Sequence, residues 1–356
     1  MRRAPPDCSA WFGTEAVMIT RIGGSGFSGS RVFLVQRASG ARYVLKSFSA
    51  ALPASRAAWV HGLMRRLRAA GVATVPDVVA VRPEQAPPAG SGVATIAIDP
   101  TGVRWELVAF VPGSPRPAPT VSEAAAALAG LARLHAAAAA LPGSTPRSEP
   151  SPGVLRRVEQ ATRLLASPWR GLQPSAAAQP SAAIQCRLLR AVEVFETCEG
   201  QAALECIASA GAPAVVTQPV LRDVWSDHVL FADDGRLAGF VDFHAAGHDT
   251  PATDLARLLG SWQAPTEHHG GSFMERWHEA LVAYETVRPL PAQERSLIPW
   301  LHATGVICGL DNWFRWLITD LRTFDDMTRV LDRIDRLVRH LPGALDTARD
   351  GLPGRN

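Results

Sequence analysis

Apolar and polar positions follow two rhythms along the chain, and the change from one to the other falls near residue 113. In the first hundred residues the pattern is one of strands and turns. Val32-Phe33-Leu34-Val35 is an apolar run, Ala38-Ser39-Gly40-Ala41 supplies turn residues, and residues 42–48 read as a return strand. A helix is expected over residues 55–70, where Trp59, Leu63, Met64 and Leu67 recur near helical spacing. Residues 105–111 are strand-like again and stop at Pro112-Gly113, and Ser114-Pro115-Arg116-Pro117-Ala118-Pro119 is too proline-rich for a helix or a central strand. The division into 1–113 and 114–356 is therefore placed there. Beyond it Leu128, Leu131 and Leu134 line one helix face, with Thr120 or Ser122 as its N-cap. Low-complexity loops at 142–153 and 167–182 flank a short helix. Further helices are expected at 183–209, 271–287, 293–318 and 325–341, interrupted by a hairpin over 229–242. The pattern predicts an α+β chain with a small β-rich lobe followed by a larger, mostly helical one.

Composition narrows the class. A chain of 356 residues exceeds what one core fills, and 47% hydrophobic with 19% charged residues is globular rather than disordered. A formal net charge of +3 gives no reason to expect nucleic acid. Residues 1–80 hold eleven basic and three acidic side chains, whereas residues 210–270 hold three basic and eight acidic ones. That asymmetry suits a phosphate site facing a metal site, and equally a scattered surface charge. The five cysteines are widely spaced with no Cys-x-x-Cys, which fits a reducing cytoplasm and no structural zinc. The opening residues lead into no signal-like apolar run, and Arg133 and His135 interrupt the apolar stretch 124–141, which reads as a buried helix. A soluble, cytoplasmic protein is expected, with neither a membrane nor a nucleic acid as partner.

Gly24-Ser25-Gly26-Phe27-Ser28-Gly29 matches G-x-G-x-x-G, a pattern shared by two phosphate-binding architectures. A dinucleotide-binding domain requires a helix after the glycines. Here they lead through Arg31-Val32-Phe33-Leu34-Val35 and a turn to Tyr43-Val44-Leu45-Lys46, which is strand, turn, strand. Glycines opening a β-hairpin fold over the phosphates of ATP in kinases. The P-loop alternative lacks its Gly-Lys-Ser/Thr, since Gly29-Ser30-Arg31 stands there. Lys46 is the single lysine beside 35 arginines. A chain that uses arginine for every other cation has kept a compact, flexible ammonium where a point charge would meet phosphates.

The other candidate chemistry lies in Leu221-Arg222-Asp223-Val224-Trp225-Ser226-Asp227-His228, followed by Asp233-Asp234-Gly235 and a return strand ending at Asp242. Pairing Ala232 with Arg236 sets His228 opposite Phe240 and diagonal to Asp242, near enough to share a metal ion. Asp223 reaches the same point from a loop.

At these residues the sequence resembles the aminoglycoside phosphotransferase and choline kinase-like family, relatives of protein kinases. The resemblance covers roughly residues 18–262 and is most specific over 223–256, where Asp249-Thr250-Pro251-Ala252-Thr253-Asp254-Leu255-Ala256 matches the family's last acidic element. It implies a two-lobed, protein-kinase-like fold in which residues 1–113 bind nucleotide and residues 114–356 carry the catalytic loop and acceptor site. It also implies ATP with Mg2+ or Mn2+ as cofactors and a small-molecule hydroxyl as acceptor: a metabolite, an amino alcohol or a sugar-like compound. Asp223 takes the catalytic position, Asp242 with His228 the metal position, and residues 24–29 with Lys46 the phosphate position. Arg222 and Asp254 are expected to support the catalytic loop. Three positions depart from the pattern. His228 stands where the family has Asn, and Asp227 is a substitute ligand to consider. Leu221 replaces a His. No acidic residue lies between Glu15 and Asp77, so the first helix offers Lys46 no carboxylate; His61, a residue of another segment, or phosphate alone is left to position it. These departures leave a catalytically inactive nucleotide-binding protein as the alternative. Trp262, Trp277, Trp300, Asp311, Trp313 and Trp316 are candidates for contact with the acceptor, or else core aromatics.

Overall fold

The computed structural model describes residues 7–22, 30–49, 52–82, 84, 94–172, 180–263 and 271–352. A short helix, α1 (Ser9–Phe12), precedes β1 (Val17–Arg21), β2 (Val32–Arg37) and β3 (Arg42–Ser47). Next come helix α2 (Ala54–Ala69), β4 (Ile96–Ile98) and β5 (Arg104–Ala109). The five strands form one antiparallel sheet in the order β1-β2-β3-β5-β4. Gly40, at φ +84°, turns β2 into β3 in the left-handed conformation that costs glycine least. Period-two alternation then divides the faces. Val35, Leu45, Leu107 and Trp105 are buried on one side with Trp11 of α1 and its N-cap residue Cys8. On the other side Val32, Lys46 and Glu106 stand in register across three strands, facing α2.

The remainder is mostly helical. Helix α3 (Val121–Ala140) starts at a capping box in which the Thr120 side chain accepts from Glu123 N and Glu123 returns to Thr120 N. The proline-rich segment before it supplies β6 (Ser114–Pro115), an edge strand where a missing N–H is tolerated. Then follow β7 (Arg147–Pro150), α4 (Pro152–Ala166), α5 (Ala182–Thr197), α6 (Gly200–Ala208) and β8 (Ala214–Val220). Strand β9 (Val229–Phe231) pairs with β10 (Leu237–Phe240). Strand β11 (Gly247–Asp249) pairs with β8, leading into α7 (Pro251–Ser261). Helices α8 (Phe273–Arg276), α9 (His278–Glu285), α10 (Ala292–Phe314) and α11 (Met327–Arg349) close the chain. The fold is the two-lobed α+β, protein-kinase-like arrangement. Among the described residues no helix is long and apolar enough to cross a membrane.

The structure departs from the sequence expectations in several places. The helix expected over 271–287 is two, α8 and α9. The helix expected over 183–209 is two helices, broken where Glu199 takes φ 53° and where a Cβ on residue 200 would meet the Phe195 ring at 2.3 Å, so Gly200 is what permits the close turn. The last helix runs past Pro342 to Arg349, because Leu341, Ala344, Leu345 and Ala348 bury one face across the proline. Strand β8 was not anticipated: its sequence, Ala-Val-Val-Thr-Gln-Pro-Val, carries a proline, which argues against a strand between two neighbours, yet it lies between β7 and β11.

Candidate active site

Strand β3 places Lys46 at the floor of a cleft of about 280 Å³ between the sheet and the 228–243 segment, with Val32, Val44 and Leu230 on its apolar walls. Lys46 is 9% exposed and its Nζ lies 2.6 Å from Asp242 Oδ1. Burial by itself would raise the Asp242 carboxyl, but Lys46, then His228 and His244, hold it down to about 2. Asp242 adopts φ 63°, a left-handed conformation that costs a non-glycine residue about 1–2 kcal/mol. The chain bends there into a short turn at residues 243–245 that buries Phe243.

The hairpin register differs from the one expected. Ala232 N does donate to Arg236 O at 2.9 Å and Phe231 faces Leu237. A bulge at Ala238 then shifts the pairing, so Leu230 faces Gly239 and Val241 N donates to His228 O at 2.9 Å. His228 thus sits beside Asp242 by one residue less than the simple register implies, with Nε2 3.7 Å from Asp242 Oδ2. Its Nδ1 is 2.8 Å from the carbonyl oxygen of Asp223. A carbonyl only accepts, so Nδ1 carries a proton, which leaves Nε2 as the ring nitrogen that could ligate a cation beside Asp242. An imidazole nitrogen and a carboxylate oxygen converging in this way fit a divalent cation. Among the described residues no third His, Cys, Asp or Glu joins them, so a cation held there would need its other ligands from elsewhere. Asp227, the substitute ligand considered above, is engaged instead by Arg329 of α11.

Asp223 follows β8 in a loop anchored from below. Asp254, with no exposed surface, accepts from Leu221 N at 2.7 Å and Arg222 N at 2.6 Å through its two oxygens, and from His135 Nε2 at 3.0 Å. His135 is fixed in turn by Tyr284 Oη at 2.8 Å. Arg222 is held at φ 66°. Asp223 Oδ1 accepts from Arg257 Nη2 at 2.8 Å, Arg257 Nε at 3.1 Å and the Trp225 indole. Asp223 Oδ2 has no hydrogen bond among the described residues. Trp225 lies between the guanidinium groups of Arg257 and Arg333, at 3.8 and 3.9 Å from its ring.

The carboxylate that pairs with Lys46 is Asp242, and a second buried acid stands beside it on β5. Glu106, the cross-strand partner of Lys46, accepts from His61 Nε2 of α2 and from His244 Nε2, each at 2.7 Å. Burial opposes its ionisation, but His244 and then His61 hold it well below the usual carboxylate range. His61 therefore binds Glu106 rather than Lys46. Sequence reasoning missed Glu106; the available signal was the single acid in the apolar strand ending at Pro112-Gly113. The glycine loop, Gly24, Ser25, Gly26, Phe27, Ser28 and Gly29, lies outside the described residues. Trp262, Trp277, Trp300 and Trp313 are core, Trp316 is half-buried against them, and Asp311 is buried against Arg315 and Trp169. None of these six lines the cavity beside Asp223.

A family model described as the phosphotransferase enzyme family matches residues 19–295, and the chain belongs to that family. It is similar to a homoserine kinase of Xanthobacter autotrophicus, 30% identical over 269 residues that cover 76% of this chain and 72% of that protein. A homoserine kinase of Polaromonas naphthalenivorans is 39% identical over 98 residues, a match spanning 28% of this chain and only 30% of that protein's length. In structure it is similar to an aminoglycoside phosphotransferase from Alicyclobacillus acidocaldarius, with a TM-score of 0.60 at 15% identity, covering 98% of each chain.

Proposed function

We propose that this member of the phosphotransferase enzyme family transfers the γ-phosphoryl of ATP to the hydroxyl of a small molecule. The observation that carries the reading is the ion pair between Lys46, the single lysine, and Asp242 at the floor of the cleft, one hairpin away from the open Oδ2 of Asp223. Phosphoryl transfer asks for positioning and charge neutralisation more than for covalent chemistry. The apolar walls of the cleft suit a nucleotide base. Lys46, and the backbone amides of residues 24–29, would neutralise the phosphates. Asp242 and His228 Nε2 would hold the divalent cation, magnesium or manganese, which supplies charge compensation at the phosphate oxygens when bound.

Asp223 Oδ2 accepts the proton of the acceptor hydroxyl as its oxygen forms a bond to the γ-phosphorus and the bond from that phosphorus to the ADP oxygen breaks. Arg257 and Trp225, bound to Oδ1, fix the carboxylate so that only Oδ2 faces the acceptor. Asp254 acts through the backbone of Leu221 and Arg222 and is a positioning residue.

The test is an acceptor panel that includes homoserine, aminoglycosides, amino alcohols and hydroxy acids, read by ADP release with each metal. ADP release dependent on one acceptor, and lost in Asp223→Asn, supports the reading. Nucleotide binding without transfer to any acceptor would support a catalytically inactive binding protein instead.

A further inference from the structure

A second cavity, of about 220 Å³, opens beside Asp223 between α4, α7, α10 and α11. Arg156, Arg157, Arg222, Arg257 and Arg333 all line it, and the only carboxylate on its wall among the described residues is Asp223. The ion pairs do not balance this charge. Arg156 is 2.9 Å from Asp249 Oδ2, Arg222 is 3.9 Å from the same oxygen, and Arg257 holds Asp223. Arg157 and Arg333 have no carboxylate partner among the described residues, and the Nε atom of each is buried without a hydrogen bond. Five guanidinium groups thus meet two carboxylates. Burial, and after it the neighbouring Arg257 and Arg336, push the Arg333 guanidinium down to about 8, and burial lowers Arg157 as well. Half-buried cations without a carboxylate partner favour a group of opposite charge that completes the site.

We propose that this cavity binds the phosphoryl acceptor through an anionic group, a carboxylate or a phosphate, held by Arg157 and Arg333 while the acceptor hydroxyl reaches Asp223. The inference rests on the phosphotransfer reading above and adds the chemical class of the acceptor. Guanidinium forks match the paired oxygens of carboxylate and phosphate. The volume lies below the roughly 300–1,000 Å³ of drug-sized sites, so it suits one small metabolite rather than a multi-ring sugar. A polycationic aminoglycoside would meet five like charges there.

The experiment has two arms. In the first, calorimetry at constant ionic strength measures binding of glycolate and glycerol 3-phosphate against the neutral alcohols ethylene glycol and glycerol. The parent should prefer the anions by about tenfold or more, and whichever anion binds more tightly identifies carboxylate or phosphate as the group read. In the second arm, Arg157→Gln and Arg333→Gln should each fold and lose about tenfold in that affinity, because each removes a half-buried cation that has no carboxylate partner. Should either glutamine variant fail to fold, Arg333→Lys keeps the charge and should still lose the paired geometry and about tenfold in affinity. Anion affinity equal to that of the neutral alcohols, or unchanged in the variants, overturns the inference. Metal–ATP binding is measured in parallel. Its absence alongside intact anion binding would count against the phosphotransfer reading and leave the anion site standing.

Discussion

Replacing Asp254 by Asn probes how the loop that carries Asp223 is held. The carboxylate is fully buried and accepts three hydrogen bonds, from Leu221 N, Arg222 N and His135 Nε2. An amide keeps one oxygen. Its best placement faces that oxygen to Leu221 and His135 and turns the NH2 group towards the Arg222 N–H, donor against donor. The loss is one charge-assisted bond, about 1.5–3 kcal/mol, together with a buried donor left unmatched, about 1–3 kcal/mol. The sum is about 2.5–6 kcal/mol, which for 356 residues corresponds to a fall in Tm of about 3–8 °C. The lost bond is also the one holding Arg222 at φ 66°, so Asp223 is released from its position. Misplacing a reacting group by about 1 Å costs on the order of 100-fold. Thermal melting, calorimetry of metal–ATP binding and turnover are the three readouts. Turnover should fall by about 100-fold while the Kd for metal–ATP stays within about twofold. Parent-like turnover with a lowered Tm would show that Asp254 stabilises the fold without positioning Asp223.

Lys46→Met should lower phosphoryl transfer by about 10²–10³-fold, and Lys46→Arg should also impair it because a guanidinium is planar and bulkier than an ammonium; transfer at the parent rate in both would refute its role. With an imidazole nitrogen as ligand, the parent should favour manganese over magnesium more strongly than His228→Asn does; equal metal ratios for parent and variant would remove His228 from the site. Burial first, then His340, Arg276 and Arg333, push His302 down to about 3. Below the ordinary value of 6.5 the unfolded chain takes up a proton that the folded chain refuses, so this contribution to stability is complete above pH 6.5 and lost as pH falls towards 3. Between about pH 7.5 and about pH 5.5 the parent should lose about 1.4 kcal/mol more than His302→Gln, as read by denaturant melting; equal losses would contradict the assignment.

Local features were legible in the sequence, and features made by distant segments were not. Lys46 stood out by being the single lysine at the end of a strand, and the carboxylate block lies within about thirty residues of continuous chain, so its hairpin could be drawn from the Asp233-Asp234-Gly235 turn. The bulge at Ala238 was hidden. It accompanies Gly239, where a Cβ would come within 2.7 Å of Thr74 O, a close approach that no local pattern encodes. Glu106 and His61 are 45 positions apart and meet only because α2 packs on the open face of the sheet. Trp262, Trp277, Trp300 and Trp313 are aromatics whose sequence positions suit core and site equally, and packing assigns them to the core. The arginine wall draws on residues 156, 157, 222, 257 and 333, which no window of sequence brings together.

The most direct test of the central claim sets Asp223→Asn beside Asp242→Asn and measures metal–ATP binding and phosphoryl transfer in the same preparations. In the proposed mechanism Asp223 would meet the acceptor, and Asp242 pairs with Lys46 where the phosphates and cation would lie. Asp223→Asn should therefore bind metal–ATP like the parent and lose about 10²–10⁴-fold in transfer. Asp242→Asn should lose about tenfold or more in metal–ATP affinity itself, as one ligand charge disappears and Lys46 is left without its partner. Parent-like transfer by Asp223→Asn, or parent-like metal–ATP affinity in Asp242→Asn, would contradict the assignment of roles on which the phosphotransferase mechanism stands.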